Sequence, residues 1–253
     1  MKLYNFGKWN KEKHAIQLTE WETDEILFKK QFERIKKGWI VIDVGSEFGY
    51  YAIKAGRLVG SEGKVLAIEP FPETYQLLKM NIRLHKFVDH IVPICKAVGK
   101  QTGKAKLYET ISPGGTSIVP RRSSFKLNKN RLLMWLEFAK KRTIFKIIRE
   151  RYAPVRYVVP VDTLDRIAKE YSLEKIDLIK IDVEGAELDV LKGSRSILKR
   201  NKPILLVEVH FGCDWKPETL YQLLQKLGYS LTMEKRPHKA LVIAHPGEKY
   251  ARY

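Results

Sequence analysis

Two short stretches of this chain end in groups that a reaction could use. "KIDVEGAE" sets Asp182 and Glu184 two residues apart, and "VEVH" does the same for Glu208 and His210. Alternate residues of a strand share a face, so each pair can project from one strand end into a common crevice. Carboxylates and an imidazole converging there suit an acceptor pocket, in which a proton is taken from a hydroxyl or a nitrogen. Asp182 or His210 is the candidate base, and Glu208 the group that orients it. A structural reading competes with this one. In it Asp182 caps a helix beginning near Ala186, Glu184 serves the first turn, and His210 is simply hydrogen-bonded. The same four side chains could hold a divalent ion that activates a hydroxyl. Their spacing gives that alternative little support, and the site is expected to work without a metal. Nothing in the sequence activates the nearby Cys213, which reads as inert packing.

A second set of residues points to a ligand of another kind. In "VIDVGSEFGYYAIKAG" an apolar strand runs into Asp43, Gly45 and Gly49 before a helix begins. The carboxyl end of a strand facing a helix N-terminus is the usual ligand crevice of an open α/β sheet. Glycines there would let a ligand approach the backbone, or would only allow tight strand–helix packing. The pattern is D-x-G-x-x-x-G rather than the dinucleotide fingerprint G-x-G-x-x-G. Asp43 would repel a pyrophosphate and welcome an ammonium. Glu69, closing the next strand, can hold the two hydroxyls of a ribose. An acid for an ammonium and an acid for a ribose fit S-adenosylmethionine better than a nicotinamide dinucleotide.

These groups need a scaffold, and the periodicity supplies one. Helices are expected over 21–36, 50–59, 72–86, 162–171, 186–200 and 216–228. Strands are expected over 39–44, 63–70, 91–99, 176–183 and 203–210, with shorter pieces at "AKLYET", "TSIVP" and "YVVPV". Strands alternating with helices imply a parallel sheet with right-handed crossovers. "YSLTMEK" and "ALVIAHP", joined by "RPHK", read as a terminal antiparallel hairpin. A hydrophobic fraction of 44% excludes global disorder. Cys95 and Cys213 make neither a disulfide framework nor a zinc pair, which fits a reducing cytoplasm. The first residues lack the apolar core of a signal peptide, and no run approaches the ~20 apolar residues of a membrane helix.

"VIDVGSEFGYYAIKAG", "VLAIEPFPETYQLLKMNI", "IDLIKIDVEGAELDVLKG" and "ILLVEVH" resemble the FkbM-type methyltransferases, a class I group that uses S-adenosylmethionine. The resemblance spans roughly 38–119 and 158–245. It implies an α/β, Rossmann-like fold: a seven-stranded, mostly parallel sheet whose last strand is antiparallel. It also implies donor contacts at Asp43, Gly45, Gly49 and Glu69, and the expected donor set takes in Ser46, Glu47, Tyr50 and Pro70 as well. Ser46 and Glu47 stand where the family usually has a small residue and an Asn. A second acid there would grip the donor's ammonium or crowd its carboxylate. The expected organisation is a helical extension over 1–37, a methyltransferase domain over 38–119 and 158–253, and an insertion over 120–157 with no counterpart in the family.

That insertion carries the charge. The chain is +18 overall, and residues 119–157 hold twelve Lys and Arg against Glu137 and Glu150, a net +10 in 39 residues. A uniformly basic surface would not concentrate charge in this way. Arg121, Arg122, Lys126, Lys129, Arg131, Lys140, Lys141 and Arg142, interleaved with Trp135, are the expected substrate contacts. Cations that track phosphates and aromatics that stack on bases make RNA the first expectation for the acceptor, rRNA or tRNA. A hydroxyl of a sugar, glycan or small molecule is the alternative, and the family resemblance alone would favour it. A basic, aromatic-bearing segment would also suit a lipid-linked glycan at a membrane. A third possibility is a nucleic-acid-binding protein that keeps the scaffold without chemistry.

Overall fold

The computed structural model describes residues 2–3, 16–17, 30–87, 89–109, 116–117, 155–236 and 238–247. The central sheet is built from β1 (Ile40–Val44), β2 (Lys64–Ile68) and β3 (Ile91–Ile94) in the first half of the chain. A smaller sheet follows, made of β4 (Ala97–Val98), β5 (Gly103–Glu109), β6 (Thr116–Ser117) and β7 (Val155–Asp162). The chain then returns to the central sheet with β8 (Leu178–Ile181), β9 (Ile204–His210), β10 (Tyr229–Lys235) and β11 (Lys239–Pro246). The helices are α1 (Tyr50–Val59), α2 (Pro72–Leu84), α3 (Leu164–Glu170), α4 (Glu187–Lys192), α5 (Arg195–Asn201) and α6 (Pro217–Lys226).

The seven strands of the central sheet lie in the order β10-β11-β9-β8-β1-β2-β3, and only β11 opposes its neighbours β9 and β10. The hairpin expected at the C-terminus is present, and its last strand turns inward to lie between β9 and β10. Strand order reverses between β1 and β8, so the crevice at their carboxyl ends is where such a sheet receives its ligand. The interior strands are buried on both faces, which explains why they read as unbroken apolar runs. Ile42, Val44, Ile179 and Ile181 pack on the side of α3–α6, and Val41, Val65 and Leu178 on the side of α1.

Three elements differ from the sequence reading by more than two residues at an end, and the strand expected over 176–183 already ends at Ile181. The strand expected over 91–99 splits at Cys95–Lys96, and its second part pairs with β7 in the smaller sheet. The helix expected over 186–200 is two helices. A Cβ at Gly193 would lie 2.0 Å from the Gly99 carbonyl oxygen, so the chain must bend closely past that loop. The Asp165 carboxylate then accepts from the amides of Ser196 and Ile197 at 3.0 and 2.9 Å and starts α5 afresh. Of the helix expected over 21–36, the described part is helical at 30–32 and ends there, with Phe32 and Ile35 buried against α1. Among the described residues no helix is long and apolar enough to cross a membrane.

Candidate active site

Asp43 closes β1 and is 1% exposed. Neither of its carboxylate oxygens has a hydrogen-bond partner among the described residues. The nearest cation is Lys180 of β8, its partner in the sheet register, with Nζ 3.5 Å from Oδ1. Burial raises the Asp43 pKa, and the Lys180 ammonium pulls against that rise. Lys180 also reaches Asp182 Oδ2 at 3.4 Å and lies 4.4 Å above the Tyr51 ring.

The loop after β1 is stitched to the end of β2. The amides of Gly45 and Ser46 both donate to the Ile68 carbonyl, and the Ser46 hydroxyl donates to the Asp43 carbonyl at 2.9 Å. Glu69 accepts from the amide of Glu47 with one oxygen and from that of Phe71 with the other, both at 2.9 Å. Buried Asn81 of α2 donates to the Phe48 carbonyl at 2.8 Å and holds the loop from behind. Tyr50 opens α1 with the Lys54 ammonium 4.8 Å over its ring, and the Pro70 carbonyl faces the Cys95 thiol at 3.9 Å. Burial lifts Glu69 to about 7, with its two amide bonds opposing and Asp43 adding. Burial also lifts Glu47 to about 8, helped by the like charges of Glu69, Asp182 and Glu184.

The glycines serve a purpose other than leaving room for a ligand. A Cβ at Gly45 (φ +79°) would lie 1.8 Å from the Asp182 carbonyl oxygen, and one at Gly49 would lie 2.7 Å from Leu78 Cδ1. Gly45 lets the loop after β1 cross the loop after β8, so the packing role is the one the geometry displays.

On the other side of the crevice, Glu208 and His210 share one face of β9. His210 Nδ1 lies 2.8 Å from Glu187 Oε1, while Nε2 lies 3.3 Å from Glu208 Oε1 and 3.6 Å from Glu184 Oε1. Burial alone would lower the His210 pKa. The bonds to Glu187 and Glu208 and the field of Glu184 more than offset it, and carry it up to about 10. His210 is therefore an imidazolium at neutral pH here, which suits charge balance and not proton abstraction. Burial alone would raise Glu208, but His210 and the Lys239 ammonium at 2.7 Å carry it down to about 2. Asp182 does not cap α4, whose first residue Glu187 accepts from the Gly185 amide at 2.9 Å instead. Glu47 (φ 51°) and Glu184 (φ 53°) both sit in the left-handed region, a conformation that gathers at functional sites.

The residues expected to hold the donor, Asp43, Gly45, Ser46, Glu47, Gly49, Tyr50, Glu69 and Pro70, thus lie on the loops that meet those expected at the acceptor, Asp182, Glu184, Glu208 and His210, with Lys180 between Asp43 and Asp182. Arg121, Arg122, Lys126, Lys129, Arg131, Trp135, Lys140, Lys141 and Arg142 lie outside the described residues. Sequence reasoning missed Lys180 and Glu187. The signal for Lys180 was a lysine inside "LIKI", where a strand buried on both faces has no use for an unpaired charge. Asp182, Glu208 and His210 bring ligand-type atoms within 4.8 Å of one another, a donor set of the kind a divalent ion takes. Cationic groups of the chain already meet these acids: Lys180 at Asp182, Lys239 and His210 at Glu208.

Residues 43–231 match the family model described as the methyltransferase FkbM domain. The chain belongs to the FkbM methyltransferase family. It is 29% identical over 208 residues to methyltransferase sdnD of Sordaria araneosa, covering 77% of this chain and 75% of that one. It is 24% identical over 214 residues to the hexuronic acid methyltransferase AglP of Haloferax volcanii, covering 84% and 73%. The crystal structure of an FkbM methyltransferase from Methylobacillus flagellatus KT superposes with a TM-score of 0.58 at 15% identity, over 89% of this chain. The chain spans about half of that protein, 48% of its length. This FkbM protein is an S-adenosylmethionine-dependent methyltransferase of class I fold. The residues present fit that cofactor: Asp43, buried beside Lys180, and the raised carboxyls of Glu69 and Glu47 make a berth whose acids would ionise against a cationic donor.

Proposed function

We propose that this FkbM methyltransferase methylates a hydroxyl of an anionic, carbohydrate-like acceptor, with Asp182 as the base. The observation that carries this reading is the position of Asp182. It adjoins the donor berth through Lys180 and the Glu208–His210 pair through the crevice. S-adenosylmethionine supplies a methyl on a sulfonium, so the acceptor oxygen gains a C–O bond as the C–S bond breaks and its electron pair stays on sulfur. The chain's contribution is alignment and removal of the acceptor proton to the Asp182 carboxylate. His210, held charged by Glu187, keeps Glu208 ionised and in place as an acceptor contact. Glu184 closes the same rim. Lys180, Lys239 and His210 supply the positive charge these acids need, so transfer is expected to proceed without a metal.

The relative named for hexuronic acid supports a sugar carrying a carboxylate. The basic segment over 120–157, proposed as the substrate-recognition insertion, suits such an anion. The twelve-to-two charge imbalance of residues 119–157 also favours a second reading, in which the acceptor is RNA. With two free cysteines, Cys95 and Cys213, the proposed compartment is the cytoplasm.

The test offers methyl-labelled donor with a glucuronic-acid-terminated oligosaccharide, its neutral counterpart and total RNA, each read by mass spectrometry. Label on the acidic oligosaccharide is the expected result, unaffected by a chelator. Label on RNA alone would move the acceptor to the second reading. Asp182→Asn is expected to bind donor normally and to keep only a slow residual transfer, about a hundredfold or more below wild type. Full transfer by that variant would remove Asp182 as the base.

A further inference from the structure

We propose that Lys180 is a positioning residue for methyl transfer, clamping the Asp182 carboxylate in the acceptor site and tying it through Asp43 to the donor loop. The inference rests on Asp182 being the acceptor-side base. Three observations carry it. First, Lys180 is 2% exposed in a strand whose other residues, Leu178, Ile179 and Ile181, are all buried and apolar. Lysine is almost never buried to this degree unless it is paired. Second, the pairing is fixed by the backbone and does not depend on a flexible surface contact. Asp43 is the direct register partner of Lys180 on β1, and Asp182 lies two residues further along its own chain, on the same side. The ammonium is 3.5 Å from the first and 3.4 Å from the second. Third, the Tyr51 ring, 4.4 Å away, presents an aromatic face to the same ammonium and restrains it from the α1 side.

Apolar residues in place of the whole cluster would serve the sheet at least as well, because a buried ion pair is weak evidence for stability, whereas removing Lys180 alone strands the buried Asp43. A lysine there makes sense where the acids it joins are wanted. Asp43 belongs to the half of the sheet that faces the donor, and Asp182 to the half that faces the acceptor. The two strands are hydrogen-bonded neighbours and the Asp182 amide donates to the Val44 carbonyl, so the ladder sets the two backbones side by side. The cation between the two carboxylates then sets where the side chains lie.

The test uses Lys180→Met, which keeps the stem and removes the charge. In a crystal structure with S-adenosylhomocysteine, the Asp182 carboxylate should swing away from its place beside residue 180. With the glucuronic-acid-terminated oligosaccharide as acceptor, kcat should fall about tenfold or more, while the acceptor KM stays within about threefold. In an Asp182→Asn background the same change should cost nothing further, because its effect runs through Asp182. A folded variant with Asp182 in place and wild-type kcat would overturn the proposal. So would a full additional loss in the Asp182→Asn background. If Lys180→Met does not fold, Lys180→Gln is read in the same way. Wild-type protein that leaves the oligosaccharide unmethylated sinks the acceptor reading alone, and the crystal comparison still decides the role of Lys180.

Discussion

Glu47 and Glu69 are the two donor-side acids whose ionisation falls in the range of ordinary assays. Burial lifts both, Glu69 to about 7 and Glu47 to about 8, and Glu69 adds to the rise of Glu47. A cationic donor stabilises ionised carboxylates, so it should lower both values on binding and release protons. Donor affinity is then weakest where the acids are protonated and grows as pH rises through their values. Titration calorimetry from about pH 6 to about pH 8.5 should show the donor Kd tightening by roughly tenfold, the size of about one unit of coupling. Repeating it in buffers of different ionisation enthalpy should show net proton release near neutrality. Glu47→Gln, which removes the higher of the two, should flatten the upper part of that dependence. A Kd constant with pH would mean that neither acid senses the donor.

At the level of elements, the site depends on how closely two loops cross. Gly45 carries a positive φ of 79° and has the Asp182 carbonyl where a side chain would start. Gly45→Ala should therefore cost about 2 kcal/mol or more in chemical denaturation and misplace Asp182, lowering transfer as well. Gly103→Ala in β5 is the control: nothing lies within 4 Å of its would-be Cβ, and stability should change by less than about 0.5 kcal/mol. The strands around the crevice were legible because each is buried on both faces and written as an apolar run, and α1 and α2 because their buried residues recur at helical spacing. Glu208 and His210 were legible because period two puts them on one face of β9. Asp182 and Glu184 lie past the end of β8 at Ile181, with Glu184 in a turn at φ 53°, so the strand period that suggested them is not what places them. What the chain hid is whatever depends on register between distant strands. The pairing of Lys180 with Asp43 and the seat of His210 on Glu187 arise only once β8 lies between β1 and β9. The break at Gly193 was hidden for the same reason, since its cause is a loop nearly a hundred residues earlier. The small sheet of β4–β7 was hidden because β4 and β6 have two residues each and β5 pairs with β7 from across the basic segment.

For the whole molecule, charge is divided by purpose. The crevice is lined with acids, whereas the chain is +18 and residues 119–157 carry a net +10. An acidic crevice favours the cationic donor and can meet an acceptor's hydroxyls but not its negative charge, so attraction of that charge must come from elsewhere in the chain. The basic segment enters and leaves through the smaller sheet, between β6 and β7, and β7 leads on to α3 and β8. Tyr157 of β7 packs edge-on against Phe71 and hydrogen-bonds to Glu73, so the base of the segment rests on the residues that follow Glu69. Changing Arg121, Arg122, Lys140, Lys141 and Arg142 to Gln removes five positive charges while leaving the donor berth intact. The donor Kd should not move. Acceptor binding should weaken, and the manner of weakening separates the two acceptor classes. Each phosphate contact adds about 0.7–0.9 to the slope of log affinity against log salt, so an RNA held by all five cations would lose about 3.5–4.5 from its slope. An acceptor with a single carboxylate can lose no more than about 1. Salt titrations of the two proteins, measured by acceptor KM for the acidic oligosaccharide and by filter binding for RNA, therefore assign the segment its ligand. Unchanged slopes for both would detach it from acceptor recognition altogether.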